Sequence, residues 1–169
     1  MKEKISEHIS YKEATSSQTA IRHGLNNDPN PDQLESMKRL AHSLFEPLRT
    51  YISMKRGKDT PIHINSFFRG PEVNAQIKGS STSQHCKGEA IDIETNFSDF
   101  TNRDLFYTII KRASFDQLIC EFISDGEPAW IHVSHKRIGN RNQVLIATKQ
   151  DDKTKYLPYT PEVFKEIYG

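Results

Sequence analysis

The sequence predicts an α+β fold: a single domain with a mainly antiparallel sheet of about four to five strands, flanking helices and a cleft. Helical periodicity dominates the early part of the chain and the segments between strands, and short apolar strands cluster in the second half. The chain of 169 residues with 35% hydrophobic content is sufficient for one core. No internal repeat or low-complexity tract indicates another architecture.

The clearest helical pattern covers residues 33–54, where apolar side chains recur at helical spacing. Asp32 or Asn30 could cap its N-terminus, since both side chains can accept a hydrogen bond from the first turn. Pro47 lies inside the pattern and is expected to kink or split the helix. Further helices are predicted over residues 71–77, 102–112 and 161–167.

Five short strands are predicted, each bounded by turn residues. They cover residues 62–67, 90–94, 117–122, 130–134 and 144–148. In two of them, aliphatic side chains alternate with one polar residue, Asp92 or His132. Because successive side chains of a strand point to opposite faces, Asp92 and His132 are expected to lie opposite the aliphatic residues, where a cleft can form.

His85, Asp92 and His132 together predict a metal site. His85 lies in the loop that leads into the strand of Asp92, and Gly88 allows that loop to turn tightly. Two imidazoles and one carboxylate are three protein ligands, the number used by a catalytic zinc that keeps its fourth position open. Each residue alone fits a structural role, but the three in this pattern favour Zn²⁺.

Four segments carry a resemblance to a known family. They are residues 68–74 (FRGPEVN), 83–92 (SQHCKGEAID), 115–121 (FDQLICE) and 130–134 (WIHVS). These segments resemble the M15 peptidases, which are zinc D-Ala-D-Ala carboxypeptidases and related peptidoglycan peptidases, and most closely the small form often found in phages and prophages. The resemblance extends from about residue 10 to about residue 148. It implies a zinc cofactor held by His85, Asp92 and His132.

The resemblance leaves the catalytic base open among acidic residues. Better-known M15 enzymes have an acidic residue three positions before the final His, and here that position is Ala129. We favour Glu121, because it ends an apolar strand expected to pair with the strand of His132, and because the similar zinc fold of Hedgehog signalling domains keeps a Glu there. Glu127 is the next candidate, although Glu127 and Asp125 also fit solvated turn residues.

The resemblance also implies that Arg69 lies in the cleft. A guanidinium there could bind a substrate carboxylate through two charge-assisted hydrogen bonds or stabilise a developing oxyanion, and Arg69 is therefore a candidate for both substrate binding and catalysis. Ser83 and Gln84 precede His85 and could bind a peptide backbone, or equally cap the loop. His135 is a further candidate donor to the substrate, with an ordinary surface His as the alternative.

The expected substrate is a peptidoglycan stem peptide, cut by a D,D-carboxypeptidase or by an endopeptidase between L-Ala and D-Glu. The alternative is a catalytically silent zinc scaffold that binds a partner or forms part of a virion, and the absence of an acidic residue at Ala129 supports it. The chain has 23 Lys and Arg against 22 Asp and Glu. This balance gives no reason to expect a nucleic-acid partner.

Residues 1–30 are polar and are expected to form an N-terminal arm with little structure, ahead of the peptidase-like domain at 31–169. The first residues lack the apolar core of a signal peptide, and no apolar run approaches the roughly 18 residues of a membrane span. We therefore expect accumulation in the cytoplasm and no membrane span. The protein would act on the cell wall after release, or as part of a virion with phage proteins as partners.

Overall fold

The computed structural model describes residues 4–151 and 153–168. It has six strands: β1 His63–Ser66, β2 Ala90–Glu94, β3 Gln117–Ser124, β4 Glu127–Ser134, β5 Gln143–Gln150 and β6 Lys153–Pro158. They form one sheet in the order β1-β2-β4-β3-β5-β6. All neighbouring pairs are antiparallel except β3 and β5, which are parallel.

Seven α-helices accompany the sheet among these residues. They are α1 Tyr11–Ala14, α2 Gln18–His23, α3 Pro31–Leu40, α4 Glu46–Arg56, α5 Pro71–Gln76, α6 Asn102–Arg112 and α7 Pro161–Tyr168. The predicted α+β class and the single domain are confirmed, and the sheet has one strand more than predicted. The additional strand is β6, whose six residues are all exposed, so it has no apolar alternation by which a sequence pattern could identify it.

The long predicted helix is split, as Pro47 indicated. Between α3 and α4 the chain forms one π-helical turn, Ala41–Phe45. Pro47 is at the second position of α4 and has no N–H to donate to the preceding turn, and the wider π turn accommodates this missing bond. At the other end, Asn30 and Gln33 form a reciprocal capping box that starts α3.

The N-terminal segment is more structured than the expected arm. It contains α1 and α2, and its residues Ile5, Ile9 and Ala14 are at most 1% exposed and belong to the core. The backbone N–H of Phe68 donates to the carbonyl of Ala14 at 2.9 Å, which connects this segment to the chain after β1. Isolated apolar residues in a polar stretch have no periodicity, so the sequence pattern does not reveal their burial.

The core lies between the helices and one face of the sheet. The central strands contribute fully buried aliphatic residues to it: Ile91, Ile93, Leu118, Ile131 and Val133. Burying each of these side chains contributes roughly 1.5–3 kcal/mol relative to leaving it exposed. The opposite face of the same strands is therefore free to carry polar side chains, as the strand parity predicted.

Candidate functional site

Asp92 and His132 lie side by side on that polar face. They are direct partners in the antiparallel ladder of β2 and β4, so their side chains project in the same direction. His132 Nδ1 lies 2.9 Å from Asp92 Oδ1. The strand register therefore positions two of the three candidate ligands.

His85 reaches the same point from a single 3₁₀ turn, Gln84–Lys87, just before β2. Its Nδ1 lies 2.7 Å from the carbonyl oxygen of Phe67, which can only accept, so Nδ1 carries the proton. Nε2 is therefore the ring nitrogen that faces inward and is left to bind a metal ion. Nε2 lies 3.2 Å from His132 Nδ1 and 3.3 Å from Asp92 Oδ1.

Helix α3 supports the turn of His85. The Gln33 side chain donates to the carbonyl of Cys86 at 2.9 Å. Gly88 follows with φ +70°, and a Cβ there would lie 2.5 Å from the carbonyl oxygen of Gln33. Glycine is thus required both by the left-handed backbone and by the close approach of α3.

The three side chains fit a metal ion. One ligand atom from each of His85, Asp92 and His132 lies within 4.8 Å of the others. Ligands held at 2.0–2.2 Å by a tetrahedral zinc are roughly 3.3 Å apart, close to the separations measured here. The Phe67 carbonyl fixes the tautomer of His85 that can coordinate, as is usual for a metal-binding His.

Asp92 is ionised at this site. Burial alone would raise its pKa, but the charge of His85 and the hydrogen bonds of His132 and His85 hold the pKa of Asp92 well below its usual range. A buried carboxylate among basic nitrogens supplies the negative charge that a divalent cation needs.

Arg69 lies at the β1 end of the site. Its Nη2 is 3.7 Å from Asp92 Oδ2, and its guanidinium donates to Ser66 Oγ and Asn74 Oδ1 at 3.3 and 3.4 Å. The main chain around it is held by Asn27, whose side chain donates to the carbonyl of Phe68 and accepts from the N–H of Gly70. No sequence signal indicated Asn27, because a single Asn in a polar segment resembles an ordinary turn residue.

Glu121 lies on the same face of the sheet, on the other side of His132. Ile119 is the partner of His132 across β3 and β4, and Glu121 is two residues further along β3 and so points in the same direction. Glu121 is 7% exposed. Burial raises the pKa of Glu121 to about 7, with the charge of His132 opposing the rise and that of Asp92 adding to it.

A buried carboxylate, Asp116, holds the far end of the site. Arg141 donates to it from Nε at 2.9 Å and from Nη2 at 2.6 Å, and Lys136 Nζ lies 2.9 Å away. Gln84 Nε2 donates to the same carboxylate at 3.2 Å. Burial opposes ionisation, but these hydrogen bonds from Arg141 and Lys136 hold the pKa of Asp116 well below its usual range.

An aromatic pair adjoins Glu121. The rings of Phe122 and Trp130 are 5.5 Å apart, a separation at which aromatic pairs attract. Phe122 has φ +41°, in the left-handed region that a bulky residue rarely adopts. This strained residue directly follows Glu121. Successive side chains of a strand normally point to opposite faces, but here Glu121 and Phe122 both line the cleft.

These groups line a single cleft of about 660 Å³. Of the residues predicted for the site, seven line it: Arg69, Ser83, Gln84, His85, Asp92, Glu121 and His132. His135 is not among the lining residues, and its buried Nδ1 has no hydrogen-bond partner among the residues that the structure describes. Glu127 is also outside the cleft, because its carboxylate accepts from the N–H of Arg103 at the start of α6. The cleft also contains Tyr156, Lys136 and Arg141, which no motif indicated.

In the described part of the chain, no helix combines the length and the apolar composition that crossing a membrane would need.

Two comparisons with known proteins bear on the family of this chain. No curated protein matches the chain. The family model described as Peptidase M15 matches residues 7–134, which is well over half of the sequence and includes all three candidate ligands and Glu121. The chain therefore belongs to the peptidase M15 family.

Proposed function

We propose that this protein is a zinc-dependent peptidase that hydrolyses the stem peptides of peptidoglycan. The observation that carries the proposal is the convergence of His85, Asp92 and His132 on one point, 2.9–3.3 Å apart, in a cleft that also contains Glu121 and Arg69. Membership of the M15 family supports a peptidase. In this proposal His85, Asp92 and His132 hold the metal.

Each side chain then has a defined task. A bound zinc would lower the pKa of a water molecule and polarise the scissile carbonyl. Glu121 would take a proton from the attacking water on one carboxylate oxygen and deliver it to the leaving amine, and its burial raises its pKa above the usual value, which favours a carboxylate that accepts a proton. Arg69, held by Ser66 and Asn74, would orient a substrate carboxylate or carbonyl oxygen.

Besides Arg69, the end of the cleft near Asp116 also suits an anionic peptide. Lys136 and Arg141 together carry two positive charges against the single charge of Asp116, so one positive charge is left over for a ligand. Stem peptides carry free carboxylates, which such a surplus would attract. Ser83 and Gln84 would contribute hydrogen bonds to the peptide backbone from the wall beside His85.

The test is the loss of turbidity of purified cell walls, with and without a metal chelator. We expect clearing by the wild-type protein that chelation abolishes and that zinc restores. Glu121→Gln is expected to lower the rate by about 10²- to 10⁴-fold. Glu127→Gln, which removes a carboxylate that lies outside the cleft, is the matched control and is expected to retain activity.

An absence of chelator-sensitive clearing would instead favour a catalytically silent zinc scaffold, the alternative that Ala129 keeps open. Digestion of defined muropeptides followed by mass spectrometry would identify the bond that is cut and so separate a D,D-carboxypeptidase from an L-Ala–D-Glu endopeptidase. A role in phage lysis or in a virion, and action on the wall after release from the cytoplasm, are further parts of the proposal. Western blotting of purified phage particles and of lysing cultures would test them.

A further inference from the structure

Tyr156 lies in the same cross-strand row as Glu121, two strands away. In the sheet, Glu121 of β3 is the partner of Ala147 of β5, and Ala147 is the partner of Tyr156 of β6. The three residues therefore form one row across neighbouring strands and project from the same face. Tyr156 lies beyond residue 134, where the match to the peptidase M15 family ends.

The residue between them leaves room for contact across the row. Ala147 has only a methyl group, so the ring of Tyr156 can extend over it toward Glu121. Tyr156 lines the same cleft as Glu121 and His132 and is 52% exposed. An aromatic residue that remains half-exposed inside a cleft is available to a ligand.

The hydroxyl group of Tyr156 is a donor at neutral pH. Burial raises its pKa, and the charges of Glu121 and Asp92 raise it further, so the phenol stays protonated. The cleft is thus bordered by two donors, the Arg69 guanidinium at the β1 end and the Tyr156 phenol at the β6 end.

A peptide in this cleft needs such donors on both sides, because each of its residues has a carbonyl oxygen that loses water on binding. Polar groups placed in this way fix the orientation of a ligand, while apolar surface supplies contact area. A tyrosine provides both, through its ring and its hydroxyl.

We propose that Tyr156 is a substrate-binding residue: its hydroxyl donates a hydrogen bond to a backbone carbonyl of the bound stem peptide, and its ring forms the wall of the cleft opposite Arg69. This inference rests on the proposed function. It extends the substrate site to the β5–β6 hairpin, beyond the residues that the family comparison covers.

The experiment measures binding of an uncleaved peptide by titration calorimetry. The parent is the zinc-loaded Glu121→Gln protein, and the probe is a synthetic pentapeptide of L-Ala, D-Glu, L-Lys, D-Ala and D-Ala. We expect Tyr156→Phe to raise the Kd by about 3- to 10-fold, which corresponds to the net value of one hydrogen bond. In the active background, the same change should lower kcat/KM by at least that factor.

Tyr159→Phe is the matched control. Tyr159 also carries a phenol three residues further along, but its ring packs against Phe106 and Phe164 and does not line the cleft. This variant should bind the peptide within about 2-fold of the parent. Thermal unfolding of both variants verifies that each is folded during the titration.

The two possible failures are distinguishable. If the parent binds the pentapeptide and Tyr156→Phe binds it equally well, the inference about Tyr156 is overturned while the proposed function stands. If the parent does not bind the pentapeptide and the wild-type protein clears no cell walls, the proposed function is overturned, and the role of Tyr156 with it.

Discussion

Asp92 and His132 are partners across β2 and β4, and the 2.9 Å between Asp92 Oδ1 and His132 Nδ1 follows from that pairing. Two ligands of the candidate metal centre are therefore placed by backbone hydrogen bonds of the central sheet rather than by mobile loops. The third ligand, His85, lies on a short 3₁₀ turn, and the side chain of Gln33 in α3 holds that turn by a hydrogen bond to the carbonyl of Cys86. The centre should accordingly be most sensitive to changes that move this turn.

Gly88→Ala tests that dependence. The substitution forces a Cβ into the left-handed backbone at φ +70° and to 2.5 Å from the Gln33 carbonyl oxygen. We expect a loss of unfolding free energy of roughly 2–4 kcal/mol and weaker zinc binding, because either the turn or α3 must shift. Urea denaturation and zinc titration measure the two effects.

Gly57→Ala is the control for Gly88→Ala. Gly57 has nearly the same backbone, φ +65°, but within residues 4–151 and 153–168 no other group lies within 4 Å of the position that an alanine methyl would take. The Gly57→Ala protein should therefore lose only about 1 kcal/mol of unfolding free energy, which is the cost of the left-handed φ, and its zinc affinity should not change. Equal effects at the two glycines would contradict the role assigned to the contact with α3.

Asp116→Asn should destabilise the protein in a pH-dependent way. The pKa of Asp116 is lower in the folded than in the unfolded chain, so the ionised carboxylate stabilises the fold above the ordinary value of 3.8, and this contribution is lost as the pH falls toward the folded value. Loss of the charge-assisted hydrogen bonds to Arg141 and Lys136, whose side chains are partly exposed to solvent, is expected to cost about 1.5–3 kcal/mol at pH 7. The difference between variant and wild type should shrink below pH 3.8.

Urea denaturation at pH 7 and at pH 3 measures that difference. Asp59→Asn serves as the control, since Asp59 pairs with Arg49 but its side chain is 76% exposed, and solvent screening leaves such a pair little net value. A destabilisation by Asp116→Asn that did not depend on pH would count against the carboxylate as the source of the stability.

Glu121 should make the metal-free protein less stable as the pH rises. Its folded pKa of about 7 exceeds its ordinary value of 4.5, so the folded state binds an extra proton between those values and loses stability across that window. Glu121→Gln removes this loss. In chelated samples, the variant should gain up to about 3 kcal/mol over wild type between pH 4.5 and 7.

Chemical denaturation of both chelated proteins across that pH range provides the measurement. Both proteins contain the same three candidate ligands, so the part of the histidine titration that does not depend on Glu121 cancels in the difference. If the difference in unfolding free energy between Glu121→Gln and wild type stayed constant from pH 4.5 to 7, the carboxylate of Glu121 would be solvated rather than buried.

The sequence alone allowed prediction of the sheet strands that carry alternating aliphatic residues, and with them the positions of Asp92 and His132. The family resemblance added Arg69 and the preference for Glu121. Tyr156 was missed because β6 has no buried face, and Asn27 because its hydrogen bonds join segments about forty residues apart. Such partners depend on tertiary packing, which local patterns do not encode.

The π-helical turn before Pro47 illustrates a different limit. The proline predicted an interruption of the helix, and the interruption is present. A proline can be accommodated by a kink, a break or a wider turn, and the choice depends on how the two helical segments pack in the core. Here the chain forms the wider turn, and its residues Leu44 and Phe45 are 1% exposed and lie in the core.

The most direct test of the central claim is the zinc content of the purified protein, measured by elemental analysis after dialysis against trace zinc. We expect about one zinc per chain in the wild-type protein and in His135→Ala, whose side chain lies outside the cleft, and little or none in His132→Ala. Equal zinc in His132→Ala and wild type, or none in wild type, would contradict a metal centre built from His85, Asp92 and His132.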